Sequence, residues 1–216
     1  MNKRENLNVF IQFLGYGNLE SKIWFIGIEE GGDISDEKTF TDELNKRKEN
    51  RSLYLEESKE KTQVWDIIAT FIKEVKPSIS RTDMFRKETS SFFLSNLFPL
   101  PRPTTLSQKF SKYKPYFGED IVDPNKYQSI VRSERYPIIY RNWINNSPKL
   151  TICFGSGYHN EFENLLKLGH SKFDSLSEGN LFYFSDEKVL LTPFFNYRIL
   201  KDQMIREIKK VIKECV

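Results

Sequence analysis

Short apolar runs alternating with amphipathic helical periods predict an α/β fold, a mainly parallel central sheet flanked by helices. Three observations carry the prediction. The runs KIWFIGI (22–28), SSFFLSNLF (90–98) and KLTICFG (149–155) are apolar on both faces, as strands covered by helices on each side must be. Helical periods lie between them. The chain length, 216 residues, suits one domain spanning 1–216.

In chain order, residues 3–14 read as a short amphipathic helix ended near Gly15 and Gly17. KIWFIGI follows as the first buried strand. Residues 33–61 are charged with poor apolar periodicity and read as an insertion or mobile loop containing a little helix. In TQVWDIIATFIKEV (62–75), Val64, Ile67, Ile68, Phe71, Ile72 and Val75 share one face, and Pro77 stops the helix. The second strand, 90–98, runs into a proline-rich turn, PLPRP. Residues 104–124 form an aromatic, basic loop. SERYPIIYRNWINNS predicts a helix leading to the third strand, 149–155, and a helix follows at 157–168. LFYF and KVLLTPFF, split by SDEK, predict a hairpin. A basic amphipathic helix, 199–214, closes the chain.

Composition narrows function. Hydrophobic residues make up 38%, so the chain can build a core without staples. A net charge of +3 permits nucleic-acid binding without arguing for it. Two cysteines, Cys153 and Cys215, rule out a four-cysteine site and predict no disulfide. Two histidines, His159 and His170, are sparse material for zinc, so no metal and no cofactor are expected. The N-terminus lacks a signal-peptide core, and no run reaches transmembrane length, which points to a cytoplasmic protein without a membrane partner. No P-loop, GxGxxG, nucleophile elbow or zinc spacing occurs.

In parallel sheets, ligands bind beyond the carboxyl ends of the strands. The first end carries Gly27-Ile28-Glu29-Glu30-Gly31-Gly32, the second Ser95-Asn96 and then Arg102, the third Gly155-Ser156-Gly157, and the fourth Thr192-Pro193-Phe194-Phe195-Asn196-Tyr197-Arg198. These four, in this order, resemble the uracil-DNA glycosylase superfamily. Gly27–Gly31 looks like its G-x-x-P-G motif, and SNLFPLPRP is similar to the branch with T-N-x-x-K-x-R-P. PKLTICFG looks like its P-K-x-I-x-x-x-G strand, and TPFFNYRIL falls where H-P-S and an intercalating loop stand.

The resemblance implies a three-layer α/β/α sandwich with a short, mainly parallel sheet. It also implies a monofunctional, monomeric enzyme that flips a pyrimidine out of DNA and hydrolyses its N-glycosidic bond. An oxocarbenium-like transition state wants a carboxylate beside the sugar and donors around the departing base. Glu29 or Glu30 would supply the carboxylate, and Gly27, Ile28, Gly31 and Gly32 the backbone approach. Asn96 would read the base edge and Phe93 would stack on it. Gly31 stands where strict uracil enzymes carry a tyrosine that blocks C5. That implies a 5-modified cytosine of phage DNA as substrate, with uracil the alternative.

The family's last histidine is absent, Phe194 or Phe195 taking its register. Asn196 is the nearest polar substitute as a catalytic donor. Arg102, Arg198, Lys112, Lys114 and Ser156 are the candidate DNA contacts. The aromatic, basic loop suits phosphates and bases together. The same fold without chemistry, as a base-sensing module, is the reading from another class.

Overall fold

In the computed structural model, which describes residues 2–49, 63–86, 90–102, 110–155 and 157–216, the chain opens with a helix capped by its own sequence. Helix α1 (Lys3–Gln12) begins at Asn2, whose side chain accepts from the Glu5 amide at 2.8 Å while Glu5 accepts from the Asn2 amide at 2.9 Å. This reciprocal pair satisfies two otherwise orphaned donors. Leu7, Phe10 and Ile11 form its buried face.

The two-residue strand β1 (Tyr16–Gly17) and the long strand β2 (Ile23–Gly31) follow. Then come helices α2 (Glu37–Lys48), α3 (Gln63–Val75) and α4 (Arg81–Phe85), and strand β3 (Phe93–Arg102). A 3₁₀ turn at Phe110–Tyr113 leads into α5 (Lys114–Phe117). Helix α6 (Pro124–Ile130) passes through a π-helical turn, Val131–Arg135, into α7 (Tyr136–Asn146). Strand β4 (Leu150–Phe154), helix α8 (His159–Leu166) and strands β5 (Asp174–Leu176), β6 (Leu181–Phe184) and β7 (Val189–Thr192) precede the last helix, α9 (Asp202–Cys215).

The strands form one mixed sheet in the order β1-β3-β2-β4-β7-β6-β5. The pairs β3–β2, β2–β4 and β4–β7 are parallel, and the outer pairs are antiparallel. Side chains alternate between two cores. Ile26, Cys153 and Leu191 pack with α1, α2, α7 and α8 on one face. Phe25, Ile152 and Leu190 pack with α3 and α9 on the other. Each fully buried Ile, Leu or Phe contributes about 1.5–3 kcal/mol. The two clusters bury enough of them to sandwich the sheet, so the α/β class and the mainly parallel centre are as the sequence predicts.

Two local expectations are corrected, and a third is filled out. The first strand does not stop at Ile28 but runs through both carboxylates to Gly31, with a register irregularity between Glu29 and Gly31. The proline-rich stretch through Arg102 is strand rather than turn. β1 pairs with β3 only at Phe93 and Leu94, so Pro99 and Pro101 lie on an edge, where a missing N–H leaves no ladder bond unmade. The charged 33–61 stretch contains a twelve-residue helix, α2, with Phe40, Leu44 and Arg47 buried. Asp36 caps it, accepting from the Thr39 amide at 2.7 Å. The rest of that stretch, from 50 to 61, lies outside the described residues.

Arg135 ties the layers together. Only 2% exposed, it donates from Nε to the Asn96 carbonyl of β3 at 2.9 Å. Its Nη1 reaches the carbonyls of Phe10 (3.3 Å), Ile11 (2.8 Å) and Phe13 (2.8 Å) at the end of α1. Those carbonyls are orphaned by the helix terminus, and a buried orphan costs about 1–3 kcal/mol. Replacing Arg135 by Leu should therefore destabilise the fold by about 3 kcal/mol or more in urea titration, with lost amide protection in α1. A cost below about 1 kcal/mol would show that these bonds hold nothing together.

Candidate functional site

Because β3, β2, β4 and β7 are parallel neighbours, their carboxyl ends form one edge of the sheet. The register sets Gly27 beside Asn96, Glu29 beside Phe98, and Gly31 beside Arg102. A Cβ built at Gly27 would meet Asn96 Oδ1 at 2.5 Å and Phe154 Cζ at 2.7 Å. Glycine at 27 is what lets the Asn96 amide lie across the strand. Asn96 is 9% exposed, and its side-chain amide has no hydrogen-bond partner among the described residues. The amide atoms are not among the enclosed, unpartnered side-chain atoms, so solvent reaches them and a ligand could take its place.

Glu29 is half-buried. It lies close enough to the enclosed Tyr127 that its charge adds to the rise in that phenol's pKa, which burial mainly causes. The Tyr127 hydroxyl accepts from the Leu100 amide at 3.2 Å. Tyr113, fully buried, accepts from the Ile34 amide at 3.1 Å. Its single proton faces both the Pro101 carbonyl (3.0 Å) and Asp33 Oδ1 (3.1 Å). Burial pushes this phenol up as well, so both rings stay protonated and hold the ends of β2 and β3. Glu30 adjoins Glu29 in the strand. A Cβ at Gly31 would meet no described atom within 4 Å. Gly32 follows at φ +134°, where the chain leaves the sheet. Ile28 points to the opposite side and fills the space a Cβ at Gly155 would take, 2.4 Å from its Cδ1.

Other expected residues stand elsewhere or have other work. Phe93 sits at the amino end of β3, 2% exposed, with its ring 4.6 Å from Trp24. It cannot stack on anything at the carboxyl edge; Phe98, at the register of Glu29, is the aromatic that lies there. Asn196 organises a turn: its side chain accepts from the Arg198 amide at 2.8 Å and its carbonyl from Ile199 and Leu200. Phe195 is fully buried and stacks on Phe154 at 4.2 Å, so the register of the missing histidine is filled by core. Arg198 is exposed beside Tyr197 and Ile199, themselves 50% and 42% exposed.

Lys112 pairs with Asp33, and Lys114 with Glu119. Three aromatic rings of that segment are already engaged: Tyr113 and Phe117 are core, and Tyr116 stacks on Phe40 at 4.5 Å. Ser156, Pro103 and Lys109 lie outside the described residues, and Arg102 is described by its backbone alone. Among the described residues, no group of three or more His, Cys, Asp or Glu side chains could hold a metal ion, and no helix is long and apolar enough to cross a membrane. Cys153 and Cys215 are free thiols.

His159, which the sequence offers only as sparse material for zinc, has a defined place in the fold. It begins α8, directly after the loop from β4, and packs edge-on against Phe182 at 5.2 Å. Its Nε2 is enclosed without a hydrogen-bond partner. Burial lowers its pKa, against the opposing pull of the Thr192 backbone and Glu163. Thr192 ends β7, so the fold brings a histidine to the fourth strand end from a distant part of the chain. No linear motif could have signalled it, since the two residues are joined only by the pairing of β4 with β7.

Two outcomes follow. Gly27→Ala should cost about 1–3 kcal/mol by overpacking, whereas Gly31→Ala should stay within about 0.5 kcal/mol, both read by urea denaturation. For His159, the folded pKa lies below the unfolded one, so the unfolded chain binds the proton more readily. Its contribution to stability is complete above pH about 6.5 and falls away as pH drops below that value. Wild type should lose stability between pH 7.5 and 5.5 by more than His159→Gln does; equal losses would remove His159 as the cause.

A scan against protein-family models finds no match to this chain, and neither does a search of curated proteins.

Proposed function

We propose that the chain is a DNA glycosylase of the uracil-DNA glycosylase type, binding a flipped pyrimidine at the carboxyl edge of the sheet and hydrolysing its glycosidic bond. The observation that carries this reading is the Asn96 amide, unpartnered among the described residues and laid over Gly27 at the register next to the Glu29 carboxylate. An amide in that position can pair with the polar edge of a base in either orientation. Glu29 would stabilise the oxocarbenium-like sugar or take a proton from water, with Glu30 its neighbour in the same strand.

The clear space at Gly31 supports a substituent at C5, hence a 5-modified cytosine of phage DNA before uracil. Arg198, with exposed Tyr197 and Ile199, is the segment suited to enter the gap left by the base. The product would be an abasic site, with DNA the partner and the monomer the working unit.

One observation favours a second reading, a base-sensing module without chemistry. The fourth strand end has Phe195 in the core at the register of the histidine, and with the Asn196 oxygen held by a turn only the Asn196 side-chain nitrogen is left there to donate to a departing base.

A base-release assay separates the two. Oligonucleotides and phage DNA carrying uracil, mismatched thymine, 5-hydroxymethylcytosine and its glucosylated forms are incubated with the protein, and abasic sites are scored by alkaline cleavage. Release from one substrate should fall about a hundredfold or more in Glu29→Gln and about tenfold or more in Asn96→Ala. Gly31→Tyr should abolish release of the 5-modified base first. Salt-dependent DNA binding with no abasic product from any substrate would replace the enzyme by the sensing module.

A further inference from the structure

Helix α7 presents one face that no core absorbs. Pro137, Tyr140, Arg141, Ile144 and Asn145 recur at i, i+3, i+4, i+7 and i+8, and together with the end of α8 they wall a groove of about 660 Å³. Buried Leu165 lines it, and Ile144 stands 50% exposed beside it. A half-exposed isoleucine over an apolar lining is what a docking groove for a peptide shows.

The charges of the lining have one sign. Arg132, Arg141 and Lys167 border the groove, and no carboxylate does. Arg132 is held by Glu161, which also accepts from the Tyr136 hydroxyl at 2.8 Å, so that carboxylate is already committed. Lys167 lies 4.2 Å over the Tyr140 ring. Arg141 is exposed and makes no ion pair among the described residues. The α7 face from Pro137 to Asn145 is about 12 Å long at 1.5 Å per residue, room for about two helical turns.

We propose that this groove docks an acidic, amphipathic segment of a partner protein, its apolar side chains on Ile144 and Pro137 and its carboxylates on Arg141 and Lys167. The apolar lining distinguishes this occupant from a nucleic-acid backbone, whose phosphates would meet the cations but gain nothing from Ile144. The site is independent of the proposed chemistry.

The test is a selection from a phage-displayed library of random peptides on the intact protein, followed by fluorescence anisotropy of the enriched peptides. The expected consensus has Asp or Glu flanking Leu, Ile or Phe. Arg141→Glu and Ile144→Asp, both at exposed positions, should each weaken binding about tenfold or more with the melting temperature and the circular dichroism spectrum unchanged. No acidic–apolar consensus, or binding that ignores both substitutions, overturns the proposal. A short DNA duplex is run alongside: duplex binding lost in Arg141→Glu but retained in Ile144→Asp would assign the face to nucleic acid instead.

Discussion

The carboxyl half of β3 is an edge strand held by side chains, and the architecture of the candidate site depends on that. β1 stops pairing after Leu94, so the remaining residues of β3 have β2 on one side and no strand on the other. Ser95 donates its hydroxyl to the Leu14 carbonyl at 2.6 Å, Arg135 donates to the Asn96 carbonyl, and Tyr127 and Tyr113 take the Leu100 amide and the Pro101 carbonyl. Prolines at 99 and 101 remove the donors that would otherwise need partners. Each device answers a backbone group that burial would leave unpaired.

Arg135 is the centre of this arrangement because one planar guanidinium reaches two elements. Its fixed fork serves the three carbonyls ending α1 and the carbonyl of Asn96. The π-helical turn that carries it joins α6 to α7, and such turns often mark functional segments. With the Asn96 backbone anchored in this way, its side chain is free of structural duty and lies over Gly27. Backbone anchoring and an unpartnered amide on one residue are how a rigid scaffold presents a recognition group.

The four strand ends are unequal. β2 and β3 carry the polar groups, while β7 ends at Thr192 and is followed by Pro193 and the aromatic pair Phe194 and Phe195, the second buried in the core. Chemistry at this edge would lean on the carboxylate side. His159 brings an ionisable ring toward Thr192 from α8, and its enclosed, unpartnered Nε2 makes it a polar group not yet matched by structure. The α7 groove lies on the helical layer rather than at the sheet edge, so binding there and binding at the strand ends need not compete.

The sequence by itself determined the class, the parallel centre and most elements, because apolar periodicity reports burial directly. KLTICFG, the 62–75 helix and the LFYF–KVLLT hairpin all read from local pattern. It also named the strand-end residues Glu29, Gly31 and Asn96 as those to watch. Three matters were decided only by the tertiary structure. PLPR reads as turn because proline breaks most strands, yet an edge position makes it strand. EKTFTDELNKRK looks solvated, but Phe40, Leu44 and Arg47, at i, i+4 and i+7, face the α1 layer, with the Arg47 guanidinium 4.3 Å over the Phe10 ring. Phe93 and His159 exchange significance, the first at the wrong end of its strand and the second brought to a strand end by sheet pairing. Local pattern records whether a side chain is buried, whereas which groups meet depends on strand order and direction, and those are set by long-range contacts.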